Sequence, residues 1–226
     1  MSNQITKPPR ELVEKFSPYS TTNVSDALDK LGLKPGMVGI LPIYEGCPKL
    51  LGTAITMRVT AAGPTRPAAH MGVDPIMAAG EGDVIVIDNA GHLDENCWGE
   101  ILTYASIQRG ISGVVIDGAC RDVDVIKTLG FPVYARGRVP LTARGRTMQD
   151  AYNCLIRCGG VQVRPGDIIM ADDNGVVVIP QERAQEVLET TADIFDRESA
   201  IVEDLKKGIP LDEVDRKSGY DKMLNR

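Results

Sequence analysis

Apolar positions along this chain change period repeatedly, and each change marks an element. Residues 9–31 show helical spacing in two short runs. Ser20, Thr21 and Thr22 offer caps for the second, TNVSDALDKLG, which stops at a glycine as helices commonly do. The stretch LKPGMVGILPIYEGCPKLLG is rich in Gly and Pro and predicts an irregular connection with one short strand. TAITMRVT at 53–60 alternates and is β-branched, a strand signature, and AAGPTRPAAHMG follows as a long loop. Strand and helix then take turns. VDPIMAAGEG reads as a short helix, DVIVIDNAG as a buried strand and WGEILTYASIQRG as an amphipathic helix over 98–109. GVVIDGAC is again a strand, RDVDVIKTLG a helix and FPVYAR a strand. That βαβαβ order predicts an α/β fold with a parallel core sheet and right-handed crossovers.

Beyond Arg136 the rhythm breaks. RGRVPLTARGRTMQDAYNCLIRCGG predicts a long basic loop with a strand near 152–157. VQVRPGDIIMADDNGVVVIP predicts strand, turn, strand, turn, strand, punctuated by Pro165-Gly166 and Asn174-Gly175, and so a second, smaller sheet of antiparallel character. A final helix runs from about Gln181 to Lys207. No repeat or low-complexity linker interrupts the chain. Residues 1–226 are therefore expected to form one domain, with a core over about 17–207 and a polar tail over 208–226.

Composition narrows the partners. Aliphatic residues dominate and aromatics make up only 4 %, which suits layered α/β packing. The net charge of −6 is spread along the chain with no Lys/Arg stripe, which argues against nucleic acid. No segment has the apolar length of a membrane span, and the start lacks the apolar core of a signal peptide, so a cytoplasmic protein is expected. The five cysteines (47, 97, 120, 154, 158) form no C-x-x-C pair and read as reduced thiols, mostly small buried hydrophobes.

The chemistry concentrates between Trp98 and Asp124, in WGEILTYASIQRGISGVVIDGACRDVD. Strand GVVID ends in a glycine and polar residues, which places Arg121 and Asp122 at the carboxyl edge of the sheet, where α/β proteins bind ligands. The helix bearing Glu100 follows the preceding strand and starts near the same edge. Asp122 has two readings. It caps its own helix, or it is the single carboxylate of a hydrated Mg²⁺ or Mn²⁺, which prefers oxygen ligands and keeps several waters. Arg121 is either an ion-pair partner or a forked donor to a carboxylate or enolate oxygen. Glu100 caps its helix or faces the site, and the unpaired N–H groups of Gly99, Ile101 and Leu102 can receive a carboxylate. Asp94 and Glu95 stand nearby in sequence. His70 and His92 lack zinc spacing, and His70 is either a solvated loop histidine or a donor to a substrate carboxylate. Arg136, Arg138, Arg144 and Arg146 face either a polyanionic substrate or solvent and a neighbouring subunit. No nucleophile elbow, Walker loop or dinucleotide fingerprint is present.

Read in order, TTNVSDAL at 21–28, WGE at 98–100, GVVIDGACRDVD at 113–124, GFPVYARG at 130–137 and GGVQVRPGDIIMADDNGVVVIP at 159–180 resemble one family. It is that of the regulator of ribonuclease activity A, which also holds the class II 4-hydroxy-4-methyl-2-oxoglutarate and 4-carboxy-4-hydroxy-2-oxoadipate aldolases. The resemblance runs from about Ser17 to the C-terminal helix. It implies an α/β/β sandwich of swivelling-domain type, assembled as a homotrimer or homohexamer with sites between subunits. By the same resemblance Asp122 ligates Mg²⁺ or Mn²⁺, and Arg121 contacts the keto or enolate oxygen of a 2-oxo acid. The backbone from Gly99 to Leu102 holds its carboxylate, and Glu198 of a neighbour approaches the metal-bound waters. The implied activity is a metal-dependent lyase that gives pyruvate enolate, with oxaloacetate decarboxylation at the same site. The alternative is a non-catalytic regulator of an RNA-processing enzyme. The chain departs from the aldolase pattern at Glu100, where that pattern has Asp. It departs from the regulators in carrying Asp122 after the arginine.

Overall fold

Strand β3 (Leu50–Ala61) organises the molecule, because at twelve residues it is long enough to pair with three partners. In the computed structural model, which describes residues 5–34, 36–65 and 69–218, its first half pairs antiparallel with β10 (Ile168–Asp172). Its middle runs parallel to β4 (Asp83–Asp88), and its second half pairs antiparallel with β7 (Thr147–Tyr152). The parallel core continues from β4 to β5 (Gly113–Cys120) and β6 (Val133–Arg138), as the βαβαβ pattern predicts. Short strands β1 (Gly36–Met37), on β11 (Gly175–Ile179), and β2 (Leu41–Pro42), on β6, close the two edges. The result is a nine-stranded mixed sheet in the order β1-β11-β10-β3-β4-β5-β6-β2, with β7 attached to β3. A two-stranded ribbon, β8 (Ile156–Cys158) with β9 (Val161–Val163), forms the small second sheet.

The α/β class with a parallel centre and a small second sheet therefore stands, with three corrections of detail. The hairpin β10–β11 joins the main sheet rather than a separate one, because each of its faces has an apolar partner. Ile168, Met170, Val177 and Ile179 bury against one core, whereas Ile169, Ala171, Val176 and Val178 bury against the other. The basic loop after Arg136 contains β7, an edge strand whose half-exposed residues blur its alternation. The polar tail contains helix α7 (Leu211–Ser218), held by one buried apolar residue, Val214.

Helices cover both faces. Helix α1 (Arg10–Glu14), α2 (Thr21–Lys30) and the long α6 (Ala184–Lys206) bury Val13, Val24, Leu28, Val187 and Ile194 over the β10–β11 hairpin, together with Phe16 from the turn after α1. Ser20 caps α2 in a reciprocal capping box with Asn23, and the first turn is pinned to the hairpin where Asp172 accepts from the backbone and hydroxyl of Thr21. Helices α3 (Val73–Ala78), α4 (Glu100–Gln108) and α5 (Val123–Leu129) belong to the crossovers of the parallel core. Among the described residues no helix is long and apolar enough to cross a membrane. The five cysteines are unpaired, and only Cys154 is partly exposed.

Candidate active site at the carboxyl edge of the sheet

Two segments far apart in sequence meet because the chain after β4 returns to run beside the end of β5. Asn96 bridges Ala119 in parallel, the Cys97 N–H donates to Ala119 O at 3.0 Å, and the Arg121 N–H donates to Trp98 O at 3.0 Å. This extra rung puts Gly99-Glu100 directly against Arg121-Asp122. Trp98 anchors it: the indole is fully buried and donates to Thr103 Oγ1, whose hydroxyl donates to Gly99 O, each at 3.0 Å. The start of α4 is thus fixed by its own fourth residue, Thr103, and by a large apolar anchor.

At Asp122 the backbone is left-handed (φ 59°, ψ 33°), a conformation that Asp tolerates better than most residues. Its side chain makes no capping bond to α5. Instead Oδ2 accepts the Glu100 N–H at 3.0 Å, so the carboxylate caps the neighbouring helix α4. The expectation that Asp122 caps its own helix is therefore corrected: the left-handed turn aims the carboxylate across the sheet edge. Gly99 makes room for it, because a Cβ there would lie 2.6 Å from Asp122 Oδ2 and 3.3 Å from Arg121 Cγ. Arg121 Nε stands 3.4 Å from Asp122 Oδ2 and, although buried, has no hydrogen-bond partner among the described residues.

These groups open into a cavity of about 70 Å³, small beside the ~300–1,000 Å³ of typical ligand pockets. Its scale suits a small acid rather than a nucleotide. Gly99, Glu100, Ile101 and Leu102 line it together with Arg121 and Asp122, so the structure brings together six of the seven site residues that the family resemblance implies. The first-turn N–H groups of α4 lack intrahelical acceptors and carry the positive end of the helix dipole. Cys97 also lines the cavity, but burial pushes its thiol well up, which leaves it a protonated wall rather than a nucleophile or ligand.

The seventh residue, Glu198, lies elsewhere on the same chain. It sits on α6 against α2 and accepts from Asn23 Nδ2 at 2.8 Å. Burial, and then the nearby Asp26, push its carboxyl above the usual range. Asp94, Glu95 and His92 do not line the cavity, whereas His70 does. Its Nδ1 lies 3.0 Å from Met71 O, and Gly72 presses the loop onto α4, where a Cβ would meet Leu102 Cδ1 at 2.8 Å. Of the four arginines of the basic loop only Arg144 reaches the lining, and Arg136 instead pairs with the buried Asp117. Sequence reasoning missed Asn96. This buried side chain donates to Trp98 O and accepts from the Ala143 N–H, and so ties the loop to the cavity wall. An Asn two residues before a buried Trp carries no periodic signal that would announce this.

Among the described residues no cluster of three or more His, Cys, Asp or Glu side chains forms a metal cage. The donor set nevertheless suits a hydrated hard cation, which needs one or two carboxylates: Asp122 is held by one backbone bond, and Glu100 is exposed at the same mouth.

Comparison with known proteins shows which proteins this chain is similar to. Residues 21–178 match the family described as "RraA-like: Aldolase/RraA". The chain is 35 % identical over 202 residues to protein DlpA of Legionella pneumophila, covering 89 % of this chain but spanning only about a third (33 %) of that protein's length. It is 36 % identical over 196 residues to a Halalkalibacterium halodurans protein provisionally named 4-hydroxy-4-methyl-2-oxoglutarate aldolase, with 84 % of this chain and 89 % of that protein covered. Among solved structures, an uncharacterized protein from Pseudomonas syringae superposes with a TM-score of 0.84 at 31 % identity, covering 93 % of this chain and 99 % of that one. RraAS2 of Streptomyces coelicolor, described as an unusual member of the RNase ES inhibitor RraA family, superposes with a TM-score of 0.78 at 27 % identity, covering 87 % and 98 %.

Proposed function

Since the chain belongs to the RraA-like family, we propose that it is a divalent-metal-dependent lyase that cleaves a C–C bond of a 2-oxo acid to release pyruvate. The observation that carries this reading is the placement of Asp122. Its carboxylate is turned off its own helix and set beside Arg121 at the N-terminus of α4. The names of relatives such as the Halalkalibacterium protein support the same reaction class.

The substrate carboxylate binds at the first-turn N–H groups of Ile101 and Leu102, where the helix dipole favours an anion. Arg121 donates to the C2 oxygen. Its stabilisation grows as cleavage of the C3–C4 bond sends electrons onto that oxygen as an enolate. Glu100 holds a water at the mouth and moves the proton that leaves the 4-hydroxyl, and protonation at C3 then gives pyruvate. A divalent cation, Mg²⁺ or Mn²⁺, held by Asp122 would polarise the keto oxygen as a Lewis acid. Loss of CO₂ from oxaloacetate generates the same enolate and is expected as a second activity.

We propose further that copies of the chain assemble around this site as a homotrimer or homohexamer. The outer face of α4 exposes Ile101, Tyr104 and Ile107 (75, 47 and 43 % exposed) at helical spacing beside the cavity, an apolar face that a second copy would cover. Such assembly would also bring Glu198 of another copy to the cavity, completing the proton-transfer groups.

The deciding experiment measures pyruvate released from 4-hydroxy-4-methyl-2-oxoglutarate, 4-carboxy-4-hydroxy-2-oxoadipate and oxaloacetate with Mg²⁺, Mn²⁺ or EDTA. Metal-dependent release abolished by EDTA supports the lyase. No release together with no Mn²⁺ binding overturns it in favour of a regulator of an RNA-processing enzyme, the reading that the likeness to RraAS2 supports.

A further inference from the structure

Three segments that wall the cavity meet at one buried residue. Asn96 is only 7 % exposed and belongs to the segment that leads into α4. Its backbone bridges Ala119 at the end of β5, and its N–H donates to Leu141 O at 3.1 Å in the loop between β6 and β7. Its side-chain amide is used at both ends. Oδ1 accepts the Ala143 N–H at 2.9 Å, and Nδ2 donates to Trp98 O at 3.2 Å. That same carbonyl accepts the Arg121 N–H at 3.0 Å. One amide thus steadies the carbonyl that holds the Arg121 backbone and the loop that supplies Thr142 and Ala143 to the cavity wall.

This matters because of how Arg121 is kept. Its Nε is buried and has no hydrogen-bond partner among the described residues, although the side chain as a whole is 34 % exposed. Water satisfies such a donor wherever it can reach it. A donor kept dry acts strongly on a developing negative charge, whereas a solvated one must first shed its water. Alanine at position 96 removes both amide bonds and leaves the Ala143 N–H without its acceptor. A buried N–H in that position is costly, so the loop should turn outward to find water.

We propose that Asn96 is a positioning residue that acts through Arg121. Its amide keeps the β6–β7 loop closed on the segment before α4, and so keeps the Arg121 Nε–H unsolvated for a ligand oxygen. That this oxygen is a keto or enolate oxygen rests on the proposed lyase reading, and the test separates the two.

Phenylglyoxal reacts covalently with accessible guanidiniums and reports on Arg121 without any turnover. Labelling of each arginine in the full chain is followed by peptide mass spectrometry. In Asn96→Ala, Arg121 should label several-fold faster than in the natural chain. Exposed Arg10, and Arg136 on its buried partner Asp117, should label as before. Asn96→Asp keeps an acceptor for the Ala143 N–H but loses the donor to Trp98 O, and should fall between; it carries the same test if the alanine chain does not fold. Unchanged labelling of Arg121 overturns the proposal. So does equal acceleration at all three arginines, which would mean general loosening.

Steady-state kinetics then ask whether the effect runs through Arg121. Asn96→Ala should lower kcat by about tenfold with little change in KM, the scale of disturbing one preorganised donor. It should cost little more in an Arg121→Lys chain, because changes that act through one group are not additive. Equal losses of kcat in both backgrounds would overturn action through Arg121. Pyruvate release with unchanged labelling sinks this inference alone. Selective labelling of Arg121 in a chain whose natural form releases no pyruvate sinks the lyase reading and leaves Asn96 as the residue that keeps Arg121 dry.

Discussion

The Asp122 carboxylate accepts the Glu100 N–H at 3.0 Å, so one side chain caps helix α4 from the start of α5 while facing the cavity. The structural role and the proposed chemical role therefore share the same atoms, and two substitutions separate them. Asp122→Asn keeps an oxygen acceptor but loses the charge; it should bind no Mn²⁺ and release no pyruvate, with little change in melting temperature. Asp122→Ala also removes the cap, at a cost of about 1 kcal/mol, and should still fold. Thermal denaturation and Mn²⁺ paramagnetic resonance on both variants check this. Pyruvate release that persists in Asp122→Ala would remove the residue from the site.

Gly99 is required by space and not by backbone conformation, since its φ of −166° is open to any residue. A Cβ would contact the flexible ends of Asp122 and Arg121, which can move aside. Gly99→Ala should therefore fold normally yet lower Mn²⁺ affinity and turnover by about tenfold or more, the scale of displacing groups that must be preorganised. Natural turnover in this variant would show that the close packing of the two segments does not matter to the chemistry.

Arg121 supplies a planar fork, and its Nε has no other partner among the described residues. Lysine keeps the charge but offers a point donor on a flexible stem. Arg121→Lys is expected to lower kcat by roughly tenfold to a hundredfold with a smaller change in KM, because the contact strengthens as negative charge develops. Steady-state kinetics on the best substrate decide the matter. Equal kcat values would assign Arg121 a binding role only.

Arg121-Asp122 was legible because a short β-branched strand ended in polar residues, and that pattern depends only on local sequence. So was the start of α4, whose Gly99-Glu100 follows a buried strand. What stayed hidden depends on long-range pairing. Nothing local in GDIIMADDNGVVVIP says that Ile168 lies opposite Thr53, since a strand buried on both faces suits any sheet that covers it. The polar edge strand β7 matters because Gln149 accepts from the Gly72 N–H and donates to Asp74. It thereby sets the loop that carries His70, yet its composition reads as loop. Glu198 could be proposed only through resemblance, because its own surroundings, Asn23 and Asp26, belong to a different part of the chain.

Asp172 ties α2 to the β10–β11 hairpin. Burial pushes its carboxyl up, but hydrogen bonds from Thr21 and Asn174 outweigh this and hold it below the usual range. A depressed acid contributes stability that is present above its unfolded value, near 3.8, and is lost as pH falls through the folded value. Asp172→Ala should cost about 1.5–3 kcal/mol at neutral pH, the range for hydrogen bonds to a charged group. The gap to the natural chain should close in acid. Urea denaturation at pH 7 and below pH 4 tests both parts, and a gap independent of pH would mean that the ionised form is not what Thr21 recognises.

Glu198 separates stability from function in the opposite direction. Burial first, and then Asp26, raise its carboxyl above the usual value, so the folded chain carries a cost whenever Glu198 is ionised. That cost is fully present above the raised folded value and vanishes below the unfolded one, near 4.5. Glu198→Gln keeps an oxygen for Asn23 Nδ2 and removes the charge. It should raise the melting temperature at pH 7 and lose that advantage in acid. If Glu198 serves the cavity of another copy, the same variant should lose turnover despite its added stability. Mixing Glu198→Gln with Asp122→Asn chains should then restore part of the activity, because some interfaces would pair an intact Asp122 with an intact Glu198. Full activity in Glu198→Gln alone would make the residue purely structural. A loss that mixing cannot repair, in chains shown to exchange subunits, would place its effect within its own chain.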